Sequence, residues 1–551
     1  MTLATQPHQR PENGGRVAAI GLFSVMCIRG RFVKNVSRSF RSRFQEEQVL
    51  GSGCTGTVVK AIDRCTGQLR AIKIIDVSAS ADDKKKVQTE VSIMQGLDHP
   101  SIIKLFGSFH VGDTVCLVIE LCSGGDLYDA VLKAGRFTES QTATVMHQLL
   151  GAVQLLQNCS ISHSDLKPGN VFLSLPEPCE SNVVKLADFG SAHIFNPEVP
   201  ERCDLWSCGL IMRFLLCGAS PFAPAEGGAD ASPRVRVGSC SFRAADWEHV
   251  SAEAMDLIGR LLMRDSSERW TAEHALRHPW LQNRAQPALP AELLSSLVAR
   301  LRSFGVSSVL RKAALQAIAD QLEAKEVEDL RNTFLDLDCN GDGLLTPEDL
   351  RLGLSRHCLE CPDDLQEILE ALDPDGVGVM EYTTFLAALL DPEKHASAGA
   401  VKAAFRVFEP DNLGCITWRN MARVLHGCSH VEMASIKPKA INKVVSLGEV
   451  DGNGDEVLDL DAFSARFCGP PRPEDDSRGD VESVVVEALS AMAGKAASPQ
   501  PLIRAGKVAA LTHSCADADD GYGSSRSSSS GGSGFSSLGE CSSDEESDDG
   551  G

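Results

Sequence analysis

A chain of 551 residues is too long for one hydrophobic core, and ordinary domain sizes divide it into three or four units. Its formal net charge of -22 argues against nucleic acid as a partner, since a phosphate-binding surface carries the opposite sign. Its 19 cysteines, odd in number and scattered, suit the reduced thiols of a cytoplasmic protein better than a disulfide framework, and no apolar run is long enough to span a bilayer.

Residues 1–44 read as a basic, disordered leader. An apolar stretch from Val17 to Ile28 lies between Arg16 and Arg29, and the sequence on to Arg43 is rich in Arg and Ser without acids. Membrane association through this leader has no further support in the sequence: Thr2 stands where N-myristoylation needs a glycine.

Residues 45–281 begin with short β-rich runs, such as Thr57 to Ile62 and Leu69 to Ile75, and pass to helical periodicity after Asp126. This predicts a two-lobed α+β unit. Gly51-Ser52-Gly53-Cys54-Thr55-Gly56-Thr57-Val58 places glycines where a strand turn can approach nucleotide phosphates without side chains in the way. Lys73, on the next apolar strand, is placed to neutralise phosphate charge, and Glu90 falls on the following helix to hold it. In His163-Ser164-Asp165-Leu166-Lys167-Pro168-Gly169-Asn170, Asp165 is a carboxylate able to accept a hydroxyl proton, and Asn170 offers an amide oxygen to a metal. Asp188, before Phe189-Gly190, supplies a second metal ligand. Each residue alone is an ordinary surface group; their order is what carries the chemistry.

This ordered set resembles the eukaryotic protein kinase family over residues 45–281. The resemblance implies ATP and Mg2+ as cofactors and protein substrates, with Asp165, Lys167 and Asn170 catalytic and Asn170 and Asp188 holding magnesium. It assigns ATP contacts to Gly51, Ser52, Gly53, Gly56, Val58, Lys73 and Glu90, to Glu120 and Cys122 of the hinge, and to Asp126 after Gly124-Gly125. Lys167 beside Asp165 marks the serine/threonine branch. Asp204-Leu205-Trp206 and Pro221-Phe222 fit further on, and Arg269 matches the family arginine that pairs with the acid closing the activation segment, here Glu198.

Two departures stand out. Only Ser191 to Phe195 separate Asp188-Phe189-Gly190 from Asn196-Pro197-Glu198, where the family has roughly twenty residues or more. Ser164 replaces the arginine that grips an activation-loop phosphate, and a hydroxyl is no substitute for a bidentate guanidinium. The interval reflects a block missing from the coding sequence or a true loss. Phospho-activation and substrate docking are the functions it touches, so a pseudokinase acting as a calcium-responsive nucleotide- or partner-binding protein stands as the alternative to an active kinase.

Residues 282–330 predict two amphipathic helices, one striped by Leu293, Leu297 and Leu301, the other by Leu310, Leu315, Ile318 and Leu322. Residues 331–468 then repeat a helix, an acidic loop and a helix, with Asp338, Asp373, Glu409 and Asp451 in corresponding places. Calcium loops need oxygens at alternate positions, a glycine turn at the sixth and an acid at the twelfth. The first loop meets this with Asp338, Asn340, Asp342, Gly343, the Leu344 carbonyl and Asp349, the last one methylene shorter than the usual Glu. Loops with Asp373 and Asp375, or with Asp451, Asn453 and Asp455, are weaker, since Thr384 and Ala462 end them. The order of kinase unit, junction and four EF-hand-like units resembles the calcium-dependent protein kinases of plants and protists over residues 45–468. That resemblance implies Ca2+ regulation through contact between junction and EF-hand unit. Arg302 to Leu322 is then an autoinhibitory segment or a plain packing helix. Residues 469–551, rich in Ser, Gly and acids, read as a disordered tail.

Overall fold

The β-branched runs near the start of the chain pair into one sheet. The computed structural model describes residues 34–36 and 40–468 apart from 54–55, 79, 177–181, 200, 219–246, 284–288, 308, 360, 373–378, 392–396, 410–413, 418–419, 422–423, 425–448 and 451–455. Strands β1 (Lys34–Val36), β2 (Phe44–Gly53), β3 (Gly56–Asp63), β4 (Leu69–Asp76), β5 (Leu105–Val111) and β6 (Thr114–Ile119) lie in the order β1-β5-β6-β4-β3-β2. The last five pair antiparallel, and β1 runs parallel to β5. In β4, Ile72 packs among Val59, Phe109 and Val118 on one face, and the period of two turns Lys73 to the other. The β3–β4 register sets Lys73 opposite Val58, next to the glycine turn.

The ordered chain starts earlier than the sequence suggests. Phe40 and Phe44, assigned to a disordered leader, are buried and pack edge to face on Phe109, with centroids at 5.8 and 5.6 Å. Arg43 fastens the same stretch to Asp63 at 2.7 Å.

Helix α1 (Ala81–Gln95) starts at Ser80, whose hydroxyl accepts from Asp83 N, and turns Glu90 inward. The second lobe is helical: α2 (Leu127–Ala134), α3 (Glu139–Asn158), α4 (Cys203–Cys217) and α5 (Ala252–Leu261) surround the short strands β7 (Ile161–Ser162), β8 (Val171–Leu173), β9 (Val184–Leu186) and β10 (His193–Ile194). A capping box between Thr138 and Gln141 opens α3. Its Val145, Leu149, Leu150, Val153 and Leu156 are fully buried, each contributing about 1.5–3 kcal/mol on transfer from water. This helix is the axis of the lobe.

The junction forms α6 (Ala291–Gly305) and α7 (Val309–Gln321), whose predicted leucine stripes are buried. The repeat gives α8 (Glu328–Leu337), α9 (Pro347–Arg356), α10 (Leu365–Leu372), α11 (Tyr382–Leu389), α12 (Ala398–Phe408) and α13 (Leu460–Phe467). Phe334, Phe385, Phe405 and Phe463 join Leu301 and Ile318 in one core, so junction and repeat share their apolar interior. To this helical unit are added small ladders, among them Leu344–Leu345 with Met380–Glu381 and Cys415–Thr417 with Glu456–Asp459, tying successive loops together.

The helical unit lies against the two-lobed one. Gln68 and Arg70 of the sheet donate to the carbonyl and side chain of Gln321, at 3.0 and 3.2 Å. Lys104 Nζ reaches Asp320 O at 3.2 Å. Thr383 donates through N and Oγ1 to the buried Asp98 carboxylate, at 2.7 and 2.9 Å. Gly343, at φ 78, backs onto His99 so closely that a Cβ would collide with the imidazole ring.

Candidate active site

Three elements meet at one ammonium group. Lys73 Nζ on β4 lies 2.7 Å from Glu90 Oε1 on α1 and 2.8 Å from Asp188 Oδ1 after β9. Burial alone lowers the pKa of this lysine, but the two carboxylates outweigh it and hold the ammonium above the ordinary lysine range. Desolvation would raise Asp188; Lys73 beside it overcomes that and keeps the carboxylate ionised. Asp188 adopts φ 65, a left-handed conformation that Asp tolerates better than most residues, and this turns its side chain toward the lysine. Phe189 is wholly buried, its ring 4.9 Å from that of His163.

Asp165 sits on the loop between β7 and β8. Asn170 Nδ2 donates to Asp165 O at 2.8 Å and to Oδ2 at 3.0 Å, and Lys167 Nζ lies 2.7 Å from Oδ2. With its amide nitrogen committed to Asp165, Asn170 keeps its oxygen as the donor suited to a metal. The loop is held from below by Asp204, at the start of α4, which accepts the backbone N–H of His163 at 2.8 Å and of Ser164 at 2.9 Å. His163 Nε2 contacts Ala187 O at 3.1 Å, linking the base to the turn that carries Asp188. The donor set fits magnesium: an ionised carboxylate and an amide oxygen, both hard ligands, with the proton acceptor beside them.

The remaining nucleotide assignments separate by position. Gly51, Ser52, Gly53, Gly56 and Val58 form the β2–β3 turn, closed by pairing of Gly53 with Gly56. At Gly56, φ 124 excludes other residues, and a Cβ would collide with Ile74 O. The Glu120 carboxylate is turned away to Lys185 at 3.0 Å and to Lys104 N at 3.2 Å, so a nucleotide contact there falls to backbone. Burial is the chief influence on Glu120 and opposes ionisation; Lys185 and Lys104 prevail and depress it. Cys122 stays a thiol, pushed up by burial. Asp126 Oδ1 caps α2 by accepting from Asp129 N at 2.8 Å.

The pairing of Arg269 with Glu198 is corrected. Arg269 donates to Met263 O at 2.9 Å and to Arg202 O at 2.6 Å, while Glu198 is exposed in a turn whose N–H bonds to Asn196 Oδ1 at 3.0 Å. The physical reason is reach. Phe195 N still bonds to Ser160 O at 2.9 Å, so Asn196-Pro197-Glu198 belongs to the opening of the segment, and the chain then passes directly into α4.

In the first EF-hand-like loop, Asp338 accepts from the backbone N–H of Gly341, Asp342 and Gly343, at 2.8, 3.2 and 2.8 Å, winding the loop around its own first carboxylate. Desolvation, with Asp342 beside it, drives Asp338 far above the usual carboxylate range, and desolvation with Asp349 nearby pushes Asp342 up to about 7. A buried acid cluster in this condition fits a cation, which would offset both the burial and the mutual repulsion of the carboxylates. Asp349 Oδ2 is committed to Thr346 Oγ1 at 2.5 Å and Thr346 N at 3.1 Å, as a helix cap. Among the described residues no three His, Cys, Asp or Glu side chains close into a metal-holding group, so this loop depends on Asn340 and the Leu344 carbonyl as well. Asp373 and Asp375, and Asp451, Asn453 and Asp455, lie outside the described residues, as does Pro221-Phe222.

Sequence reasoning missed Lys185, Asp98, His193 and Glu201. Their partners are distant in sequence or lie in and just after the short interval; only Lys185, a charge inside an apolar strand, carried a local signal.

The family model for the protein kinase domain matches residues 44–201 and 196–281, two matches that overlap just after the short interval. The chain is 34% identical over 441 residues to calcium-dependent protein kinase 3 of Plasmodium berghei (strain Anka), covering 76% of this chain and 78% of that one. It is 33% identical over 443 residues to calcium-dependent protein kinase 5 of Plasmodium falciparum (isolate 3D7), covering 76% and 77%. With calcium-dependent protein kinase 21 of Arabidopsis thaliana it shares 31% identity over 451 residues, 77% of this chain and 83% of the relative. Identity at this level, over about three quarters of each chain, shows that the chain belongs to the calcium-dependent protein kinase family.

Proposed function

We propose that the protein is a calcium-regulated serine/threonine protein kinase that transfers the γ-phosphoryl group of ATP to hydroxyls of protein substrates. The observation that carries this reading is Lys73 joined at once to Glu90 and Asp188, with Asp165 and Asn170 hydrogen-bonded beside them. In this arrangement Lys73 binds phosphate oxygens, Asp165 accepts the proton of the attacking hydroxyl, and Lys167 offsets charge near that carboxylate. Asp188 and Asn170 would hold Mg2+, which when bound neutralises charge on the transferred group. No observation at the site favours the non-catalytic alternative.

Calcium control is supported by the way the junction is shared. Arg302 pairs with Asp364 at 2.8 Å, Arg300 donates to Leu389 O at 2.7 Å, and Gln316 donates to Thr384 Oγ1 at 3.0 Å. The far end of α7 contacts Gln68, Arg70 and Lys104, none of them a nucleotide or base residue, which favours a bracing role for Arg302–Leu322 over occupation of the cleft. Cysteine usage supports a cytoplasmic setting.

The experiment is phosphate transfer to serine peptides by the full chain with and without Ca2+. Calcium-stimulated transfer that Asp165→Ala abolishes supports the reading; MgATP binding without transfer to any peptide refutes it.

A further inference from the structure

The shortened interval creates a hydrogen-bonded chain that the phosphoryl-transfer groups do not use. His193 Nε2 lies 3.2 and 3.1 Å from the two Glu201 oxygens, and His193 Nδ1 lies 3.3 Å from Ser164 Oγ. Ser164 Oγ is 2.9 Å from Ser162 Oγ, and Ser162 donates to Asp204 at 3.3 Å. With the ring proton placed on Nε2, Glu201 accepts from the imidazole, the Ser164 hydroxyl donates to Nδ1, and the Ser162 hydroxyl shares its one proton between Ser164 Oγ and Asp204.

The backbone brings both ends of this stretch to the same place. β10 pairs His193 with Ser162, and Arg202, next to Glu201, donates to the carbonyls of Ser266 and Ser267 at 3.2 and 3.0 Å. One imidazole therefore joins His193 to Glu201, against the strand that leads into Asp165. The Ser164, His193 and Glu201 order is that of a nucleophilic triad, but Ser164 N donates to Asp204 at 2.9 Å and is not free to stabilise an oxyanion.

The geometry points to His193 as a positioning residue: by tying Glu201 to Ser164 it holds the shortened activation segment closed on the catalytic loop without a phosphate. A serine at 164 suits this role, because its hydroxyl meets the ring as a neutral partner where an arginine would demand an anion. The inference rests on the kinase reading and deepens its regulation, assigning the work of a phosphate to an imidazole and a carboxylate within the segment.

The test compares the full chain with His193→Ala and His193→Gln, in Ca2+ and MgATP with a serine peptide, measuring kcat, KM for ATP and Tm. Gln retains a donor for Glu201 and an acceptor for Ser164. His193→Ala is expected to lower kcat by ~10- to 100-fold, the scale of a small misplacement of a catalytic group, with KM for ATP and Tm unchanged. His193→Gln should recover most of it, and phosphatase treatment of the parent should leave kcat intact. Parent-like kcat in His193→Ala overturns the positioning role alone, as does a loss that tracks Tm and resists rescue by Gln, or inactivation by phosphatase. A parent that binds MgATP yet transfers nothing overturns the kinase reading and this role with it.

Discussion

Asp98 and Thr383 are 285 residues apart and doubly hydrogen-bonded, with Thr383 N and Oγ1 both donating to one buried carboxylate. Thr383 is in the first turn of α11, so Asp98 caps that helix from the other unit, where its own N-cap residue Glu381 makes no side-chain cap bond. Asp98→Ala strands a buried N–H and should cost about 1–3 kcal/mol of docking. Hydrogen exchange in α11 should rise while exchange in α3 does not; equal protection of α11 in parent and variant would remove the capping role.

Removing the ammonium at Lys73 leaves Glu90 and Asp188 facing each other without a cation. Lys73→Met should lower kcat by roughly 100- to 1,000-fold, the scale of losing one electrostatic stabiliser. Steady-state kinetics of phosphate transfer check this, and a change in KM alone would assign Lys73 to ground-state binding.

Stability should depend on pH through His99. Burial, with Lys185 adding to it, lowers this imidazole to about 3 in the folded protein. The unfolded chain takes up a proton below about pH 6.5 and the folded chain does not, so stability falls as pH drops from there, by up to about 1.4 kcal/mol per unit. Denaturant midpoints between pH 7 and pH 5 measure the slope, and His99→Gln should flatten it.

The Asp349 carboxylate is drawn to Thr346, leaving one oxygen for a metal. Asp349→Glu extends the acid by a methylene and should raise calcium affinity, by about tenfold on the scale over which such loops are tuned. Calorimetric titration of the full chain with Ca2+ reads this directly, and an unchanged affinity would place the binding elsewhere.

Much of the active site was legible because its residues stand in short, ordered segments: Lys73, Asp165, Asn170 and Asp188 meet as their sequence contexts imply. Glu198 misled because a triplet resembling the end of the segment occurs at its beginning, and only the bond from Phe195 N to Ser160 O fixes its place. Glu120 looked like a nucleotide contact from its hinge position, yet Lys185 claims its carboxylate. Phe40 and Phe44 were hidden in a basic stretch whose composition suggested disorder, although two aromatics four apart can fold a short segment onto a sheet. Contacts such as Asp98 with Thr383 have no local signature, since tertiary docking alone brings the partners together.

The central claim is calcium-controlled phosphoryl transfer from the Lys73, Asp165 and Asp188 site. The most direct measurement is the rate of γ-phosphoryl incorporation into a serine peptide by the full chain, with saturating Ca2+ and with chelator, for the parent and for Asp165→Ala. The account predicts transfer that Ca2+ stimulates in the parent and that disappears in the variant. Equal rates in parent and variant, or no transfer by a parent that binds MgATP, would contradict it.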